Sequence, residues 1–348
     1  MLNDPGLYGP RRALPLRAWP VAGESTGSFV NRLAHVNGLS LADFLDRVGQ
    51  GEASVDPERV ERYPQCTEMY VNEAGLRFLA VLADRSPGLL QQDLPSLGSE
   101  WLLAGDPEEA AEWRWPWEPL AGHVVRYCRL CGDDLGVVGE AVWLMSPDSW
   151  QVCLRHGYWS DDSRGRGPDF VHLAELPETV TAHGVRQQLA ARWGAAGEEL
   201  FADAFQVAVY WWTQMPDTVC WVQRAWTAGL DAREMRAAPL VIYPEAAQLA
   251  DAMLDFERAG QRDTAGRTRW LAGVEQLMVR WGVDVAEGRH PLLVWLGRHR
   301  MEVSAPSRPA DRRHLTLAPG HQRIASRTGS VSQRSCLTWQ LGMAAADM

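Results

Sequence analysis

The sequence predicts a mainly α protein in three parts: an N-terminal domain of two tandem helix-turn-helix-like units, a small zinc ribbon, and a C-terminal helical domain. Three observations predict it. Apolar residues recur at three- and four-residue steps along most of the chain. A helix, a polar turn and a second helix follow one another twice in the first hundred residues, and two paired metal-ligand spacings interrupt the helical pattern between residues 121 and 159. The expected boundaries are 1–118, 119–178 and 179–348, the last part carrying a basic segment at 289–334. With 348 residues, each part has enough chain to contribute to a packed core.

Residues 14–20 (LPLRAWP) are held extended by their prolines. Ser25 is the N-cap expected for a helix through Val36, with Phe29, Val30, Leu33 and Val36 on its apolar face and Asn37-Gly38 as a left-handed stop. Ser40 then caps a second helix carrying Leu41, Phe44, Leu45 and Val48, closed by Gly49. The outline repeats: Asn72 caps a helix with Leu76, Leu79, Ala80 and Ala83, and Ser86-Pro87 opens another with Leu89, Leu90 and Leu94. Two such units read as one helical domain that could present its second helices to DNA, although small all-α domains contain this outline without touching DNA. Residues 101–120, rich in Trp, Pro and Glu, read as a connector.

The next segment carries the chemistry. Cys128-Arg-Leu-Cys131-Gly places two thiolates across a tight turn, and Cys153-Leu-Arg-His156-Gly is its partner, separated by 21 residues. The interval leaves room for a β-hairpin between Ala141–Met145 and Gln151-Val152, and the glycine after the first pair is expected to relieve the backbone as it curls towards the metal. Cys128, Cys131, Cys153 and His156 make a closed set for one structural zinc ion, with no position left for a catalytic water. His123 is a competing ligand, but His156 completes the paired spacing better. Cys66, Cys220 and Cys336 stand alone and read as small core residues.

From Thr179 the helical period returns, over Val185–Trp193, Leu200–Trp212, Val219–Ala228, Glu245–Ala259 and Arg267–Trp281. Many of the 17 tryptophans fall on these faces as core anchors. Pro306, Pro309 and Pro319 break up the basic segment, and a last apolar helix is expected around Ser332–Gly342. Between Arg289 and Arg334, nine arginines face only Glu302 and Asp311, a local charge of +7 in a chain of net charge −10. Arg298, Arg300, Arg308, Arg312, Arg313, Arg323 and Arg327 are therefore the candidate nucleic-acid contacts, together with the second helix of either helix-turn-helix unit.

Composition excludes several functions. The chain contains no lysine, so it has no Walker A loop, no Schiff-base nucleophile and no kinase lysine. No H-E-x-x-H or G-x-S-x-G motif is present, and Asp133-Asp134 and Asp161-Asp162 are expected in loops, as neighbours whose side chains diverge, unlike a two-metal nuclease site. No apolar run is long enough for a bilayer, and the first twelve residues lack a signal core, so a cytoplasmic protein is expected. The sequence reads as a non-enzyme.

Two stretches resemble the TniQ family. Leu14-Pro15-Leu16, Gly23-Glu24-Ser25, Ser28-Phe29, Arg32-Leu33-Ala34 and Asn37-Gly38 are similar to its opening signature. Arg126-Tyr127-Cys128-x-x-Cys131, Trp143 and Cys153-x-x-His156-Gly157 are similar to its zinc portion. The resemblance covers roughly residues 14–160. One departure is Arg129-Leu130 inside the first knuckle, where many members carry a proline. The resemblance implies an accessory role in bacterial transposition, with target DNA linked to an AAA+ ATPase of TniB or TnsC type that recruits a DDE-type transposase. TnsD-like proteins are larger relatives, some systems attach TniQ to an RNA-guided complex, and a homodimer is also compatible. The alternative from another class is a helix-turn-helix transcriptional regulator with a helical ligand-binding body, which leaves the zinc ribbon unexplained.

Overall fold

The computed structural model describes residues 9–53, 68–105, 110–116, 119–120, 122–137, 141–162, 169–259 and 263–298. Among them are eleven α-helices and eight short strands, a mainly α chain as predicted. They divide into two compact units, one within residues 1–151 and 160–169, the other within 152–159 and from 170 onwards. The calls on Cys66, Cys336, Arg300, Arg308, Arg312, Arg313, Arg323, Arg327 and the helix at Ser332–Gly342 lie outside the described residues.

In the first unit the two helix-turn-helix outlines are α1 (Thr26–Val36) with α2 (Leu41–Val48), and α3 (Glu73–Leu82) with α4 (Pro87–Asp93). Each start is capped by the side chain that the sequence offers. Ser25 Oγ accepts from Ser28 N–H at 3.0 Å, Ser40 Oγ from Asp43 N–H at 3.1 Å and Asn72 Oδ1 from Gly75 N–H at 2.8 Å. The apolar faces meet in one core that joins Phe29, Leu33, Phe44, Leu45, Leu76, Leu79 and Leu90. The two helix-turn-helix outlines therefore pack as a single domain.

The expected connector at 101–120 contains a strand. In β3 (Glu112–Trp115) burial alternates, with Trp113 and Trp115 inward and Glu112 and Arg114 outward. β3 pairs in parallel with β1 (Gln50–Ala53) and antiparallel with β2 (Tyr70–Val71), so it is the central strand of a three-stranded sheet. Gly51 lies against the Trp113 indole, where a Cβ would collide with the ring. The period-2 signal is present in E-W-R-W, but four residues beside prolines carry too little of it to outweigh a loop reading.

The metal-ligand segment holds β4 (His123–Arg126), α5 (Arg129–Asp134), β5 (Trp143–Ser146), β6 (Trp150–Cys153), β7 (Tyr158–Asp161) and β8 (Val171–His172). The strand between the half-sites pairs differently from the expected hairpin. β5 returns to β4 in antiparallel register, Arg126 opposite Trp143, while β6 lies beside β7 and β7 beside β8.

The second unit contains α6 (Pro177–Trp193), α7 (Ala195–Gln214), α8 (Val219–Thr227), α9 (Ala238–Ala259), α10 (Thr264–Trp281) and α11 (Val285–Arg298). α9 packs against α6, α7, α8 and α10 and is buried along most of its length. Four of these helices begin earlier than the apolar recurrence indicated, and α11 falls where a basic loop-like segment was expected to begin; Pro244 and Pro291, inside α9 and α11, disguise their continuity. Trp211, Trp221 and Trp295 are wholly buried, as core anchors should be. No helix among the described residues is long and apolar enough to cross a membrane.

Candidate metal centre

Cys128 closes the two-residue link after β4 and stands at the N-terminus of α5, with Cys131 one turn along that helix. Gly132 N–H donates to Cys128 O at 3.0 Å, closing the first helical turn. Gly132 therefore sits inside a helix, and its expected role in bending the backbone is not needed. At the other half-site a glycine does take that role. Cys153 ends β6, the chain turns at 154–157, and Gly157 takes a left-handed φ of +64° while its N–H donates to Cys153 O at 2.8 Å.

Each of Cys128, Cys131, Cys153 and His156 offers one ligand atom, and the four atoms lie within 4.8 Å of one another. The Cys153 Sγ to His156 Nδ1 distance is 3.7 Å. Zinc–sulfur and zinc–nitrogen bond lengths set a tetrahedral S···N edge at roughly 3.6 Å, so this edge already has the required length. The four residues sit close enough together to bind a metal. Their chemistry, three thiols and one imidazole, fits zinc. No disulfide joins the described cysteines.

The backbone just before the first knuckle is fixed by the strands around it. Arg126 O accepts from Ser160 Oγ at 2.6 Å and from Gln151 Nε2, and Tyr127 N–H donates to Val142 O at 2.8 Å. The Arg126 guanidinium lies over the Trp143 ring at 5.5 Å and pairs with Asp169. His123 is engaged elsewhere: its Nδ1 is 3.0 Å from Asp162 Oδ2. Cys220 Sγ donates to Trp281 O at 3.3 Å, and burial pushes its thiol up to about 11, the profile of an inert packing residue. Asp133 and Asp134 belong to α5 and Asp161 to β7, so none of them lies in the loops first expected.

The opening motif meets the same strands. Glu24 is fully buried and accepts two bonds from Arg32, Nε to Oε1 at 2.8 Å and Nη2 to Oε2 at 2.7 Å, with Ser28 Oγ and Val21 N–H also donating to it. Ser25 N–H donates to Trp143 O and Met145 N–H to Gly23 O, so Gly23-Glu24-Ser25 forms a short bridge with β5. Asn37 clasps the lead segment by exchanging bonds with both Leu16 N–H and Leu16 O, and Gly38 alone takes the left-handed turn at φ +66°. The separated pieces of sequence thus form one continuous structure. The family model for TniQ matches residues 15–159. This segment is a TniQ domain. A TniQ domain marks a transposition-associated accessory protein. No curated protein and no solved structure matches the chain.

Two features of this TniQ domain were not found by sequence reasoning. Glu68 is wholly buried, and its Oε1 accepts from Gly27 N–H at 2.9 Å in the first turn of α1, with Met69 N–H adding a second bond. No motif announces it, because it reaches α1 from 41 residues away. The second concerns charge. The exposed residues of α2 are Ala42, Asp43, Asp46 and Arg47, and those of α4 are Gly88, Leu89 and Gln92. Neither helix presents the cationic face that phosphate contact uses. Arg298 is the last residue of α11.

Proposed function

We propose that this protein is a non-enzymatic adaptor of bacterial DNA transposition, linking target DNA to an AAA+ ATPase of TniB or TnsC type that recruits a DDE-type transposase. The TniQ domain over residues 15–159 carries the reading. The absence of lysine supports the division of labour, since a chain without a Walker A lysine leaves ATP chemistry to its partner. The uncharged or acidic faces of α4 and α2 favour an adaptor that works mainly through protein contacts.

Within this reading, Cys128, Cys131, Cys153 and His156 hold one structural zinc ion. A bound zinc supplies folding free energy here, because four protein ligands fill its tetrahedral set. The chain's own residues do the remaining work: Ser160 and Gln151 hold the strand before the first knuckle, and Glu24 with Arg32 fixes the motif bridged to β5.

The test is a pull-down of the full chain against the AAA+ ATPase encoded beside it, with and without duplex DNA. Retention of the ATPase by wild type, and its loss in Cys128→Ser, is the expected result. Failure to retain the ATPase, together with tight sequence-specific binding to the protein's own promoter, would replace the adaptor by a transcriptional regulator.

A further inference from the structure

The lead segment and the start of β1 border a cleft of about 1150 Å³ in the first unit, lined by residues 10–12 and 14 of the former and 49–51 of the latter. Its floor is apolar, with Leu82 and Trp113 buried and Leu14 and Phe78 half-buried. The cleft is held in shape from both ends of the lead segment. Leu14 N–H donates to Leu82 O at 3.0 Å, and Gly9 passes so close to the Phe78 ring that a Cβ there would collide with it. Both contacts seat the lead segment on α3.

The rim is cationic. Arg11, Arg12 and Arg47 are exposed there, and Asp46 is the one acid among the described lining residues, a local charge of +2 in a chain of net charge −10. Arg47 turns back to donate to Asp43 O within α2. Arg11 and Arg12 have no hydrogen-bond or ion-pair partner among the described residues, whereas Arg17, a few residues on, pairs with Asp84. Two unpaired guanidiniums above an apolar floor select a ligand that is anionic at its flanks and apolar at its centre.

The backbone decides between a peptide and a nucleic acid strand. β1 is an edge strand, paired with β3 alone among the described strands. Gln50 N–H donates to Ala111 O at 2.8 Å, towards β3. Successive residues of a strand turn their amides to opposite sides, so Gly51 points its N–H and C=O away from β3. Across the cleft, Arg11, Arg12 and Ala13 make no backbone hydrogen bond among the described residues. Both borders thus offer extended main chain with unused donors and acceptors, which an extended peptide matches and a sugar-phosphate strand does not. We propose that this cleft docks an extended acidic segment of a partner protein. The segment's main chain pairs with Gly51 at the free edge of β1, a central apolar side chain rests on Phe78 and Trp113, and flanking carboxylates pair with Arg11 and Arg12. The proposal goes beyond the adaptor role and does not depend on which protein carries the segment.

Fluorescence anisotropy on the full chain tests it with a labelled set of short peptides, each with Leu, Val or Phe at its centre and Asp and Glu on either side. The expected result is saturable binding at about 1 to 100 µM by at least one member, weakening as salt rises. Replacing its acids by Asn and Gln, or combining Arg11→Gln with Arg12→Gln in the protein, should each weaken binding about tenfold. Both arginines are exposed and unpaired, so circular dichroism should be unchanged, and Arg47→Gln serves as a second variant with a smaller loss. The same peptide N-methylated along its backbone should also bind about tenfold more weakly, a loss that charge attraction alone would not produce. The proposal is overturned if no member binds, if binding ignores Arg11 and Arg12, or if the N-methylated peptide binds equally well. Binding of a short oligothymidylate that depends on the same arginines, with no peptide bound, would assign the cleft to single-stranded nucleic acid instead.

Discussion

At the scale of single residues, the first unit depends on two buried carboxylates that behave oppositely. Glu24 is paired with Arg32 in a closed, doubly bonded contact, and both side chains are out of water. Removing one member leaves the other buried without its counter-charge, which costs about 3–5 kcal/mol. Arg32→Met is therefore expected to lower unfolding stability by about that amount, while adding Glu24→Gln restores part of it, as urea denaturation will read. Glu68 has no cation beside it among the described residues. Burial pushes its carboxyl up from 4.5 to about 7, against the N–H groups of Gly27 and Met69, which pull it down. Between those values the folded chain keeps a proton that the unfolded chain has released, so stability falls as pH rises through the window. The loss is complete above about 7 and amounts to about 3 kcal/mol. Glu68→Gln can still accept the same N–H bonds. It should flatten the change in urea midpoint between about pH 5 and 8 and be the more stable form at the upper end. A slope unchanged by the substitution would mean that another group titrates.

At the scale of elements, what could be read from sequence depended on how local the cause was. Ser25, Ser40, Asn72 and Ser86 each cap a helix three residues ahead of the bonded N–H, a relation visible in any short window. The four candidate metal ligands were legible for the same reason, since each pair spans one turn. Strand partners were not legible. β5 pairs back to β4 rather than forward to β6, and β3 joins two strands that lie between α2 and α3 in the chain, choices set by long-range packing. Two outcomes belong to this scale. Purified wild type should carry one zinc per chain. Cys153→Ser should lose it, together with the visible absorption of the cobalt-substituted form, while the α-helical circular dichroism changes little, because most helical residues lie away from the ribbon. Gly51→Ala should destabilise the first unit by about 1–3 kcal/mol, since the added methyl meets the Trp113 indole and backbone in a strand that cannot step aside. An unchanged urea midpoint would mean that β1 yields without cost.

At the scale of the whole molecule, the charge distribution decides where DNA can be held. The net charge is −10, and residues 299–348 contain seven arginines against Glu302, Asp311 and Asp347, so the chain ending at Arg298 carries −14. A polyanion binds a protein through local cations, and each phosphate contact adds to the fall of affinity with salt. The outward faces of α2 and α4 offer one arginine between them, beside two aspartates. If the adaptor touches target DNA itself, the arginine-rich segment is the region with enough uncompensated charge to do so. Duplex binding by the full chain should then weaken steeply as salt rises, and the chain ending at Arg298 should bind more weakly and with a flatter salt dependence, as fluorescence anisotropy will show. Equal affinity and equal slope for the two forms would place the DNA surface within residues 1–298. The helix-turn-helix outlines would then have to act through shape and neutral contacts rather than through phosphate neutralisation.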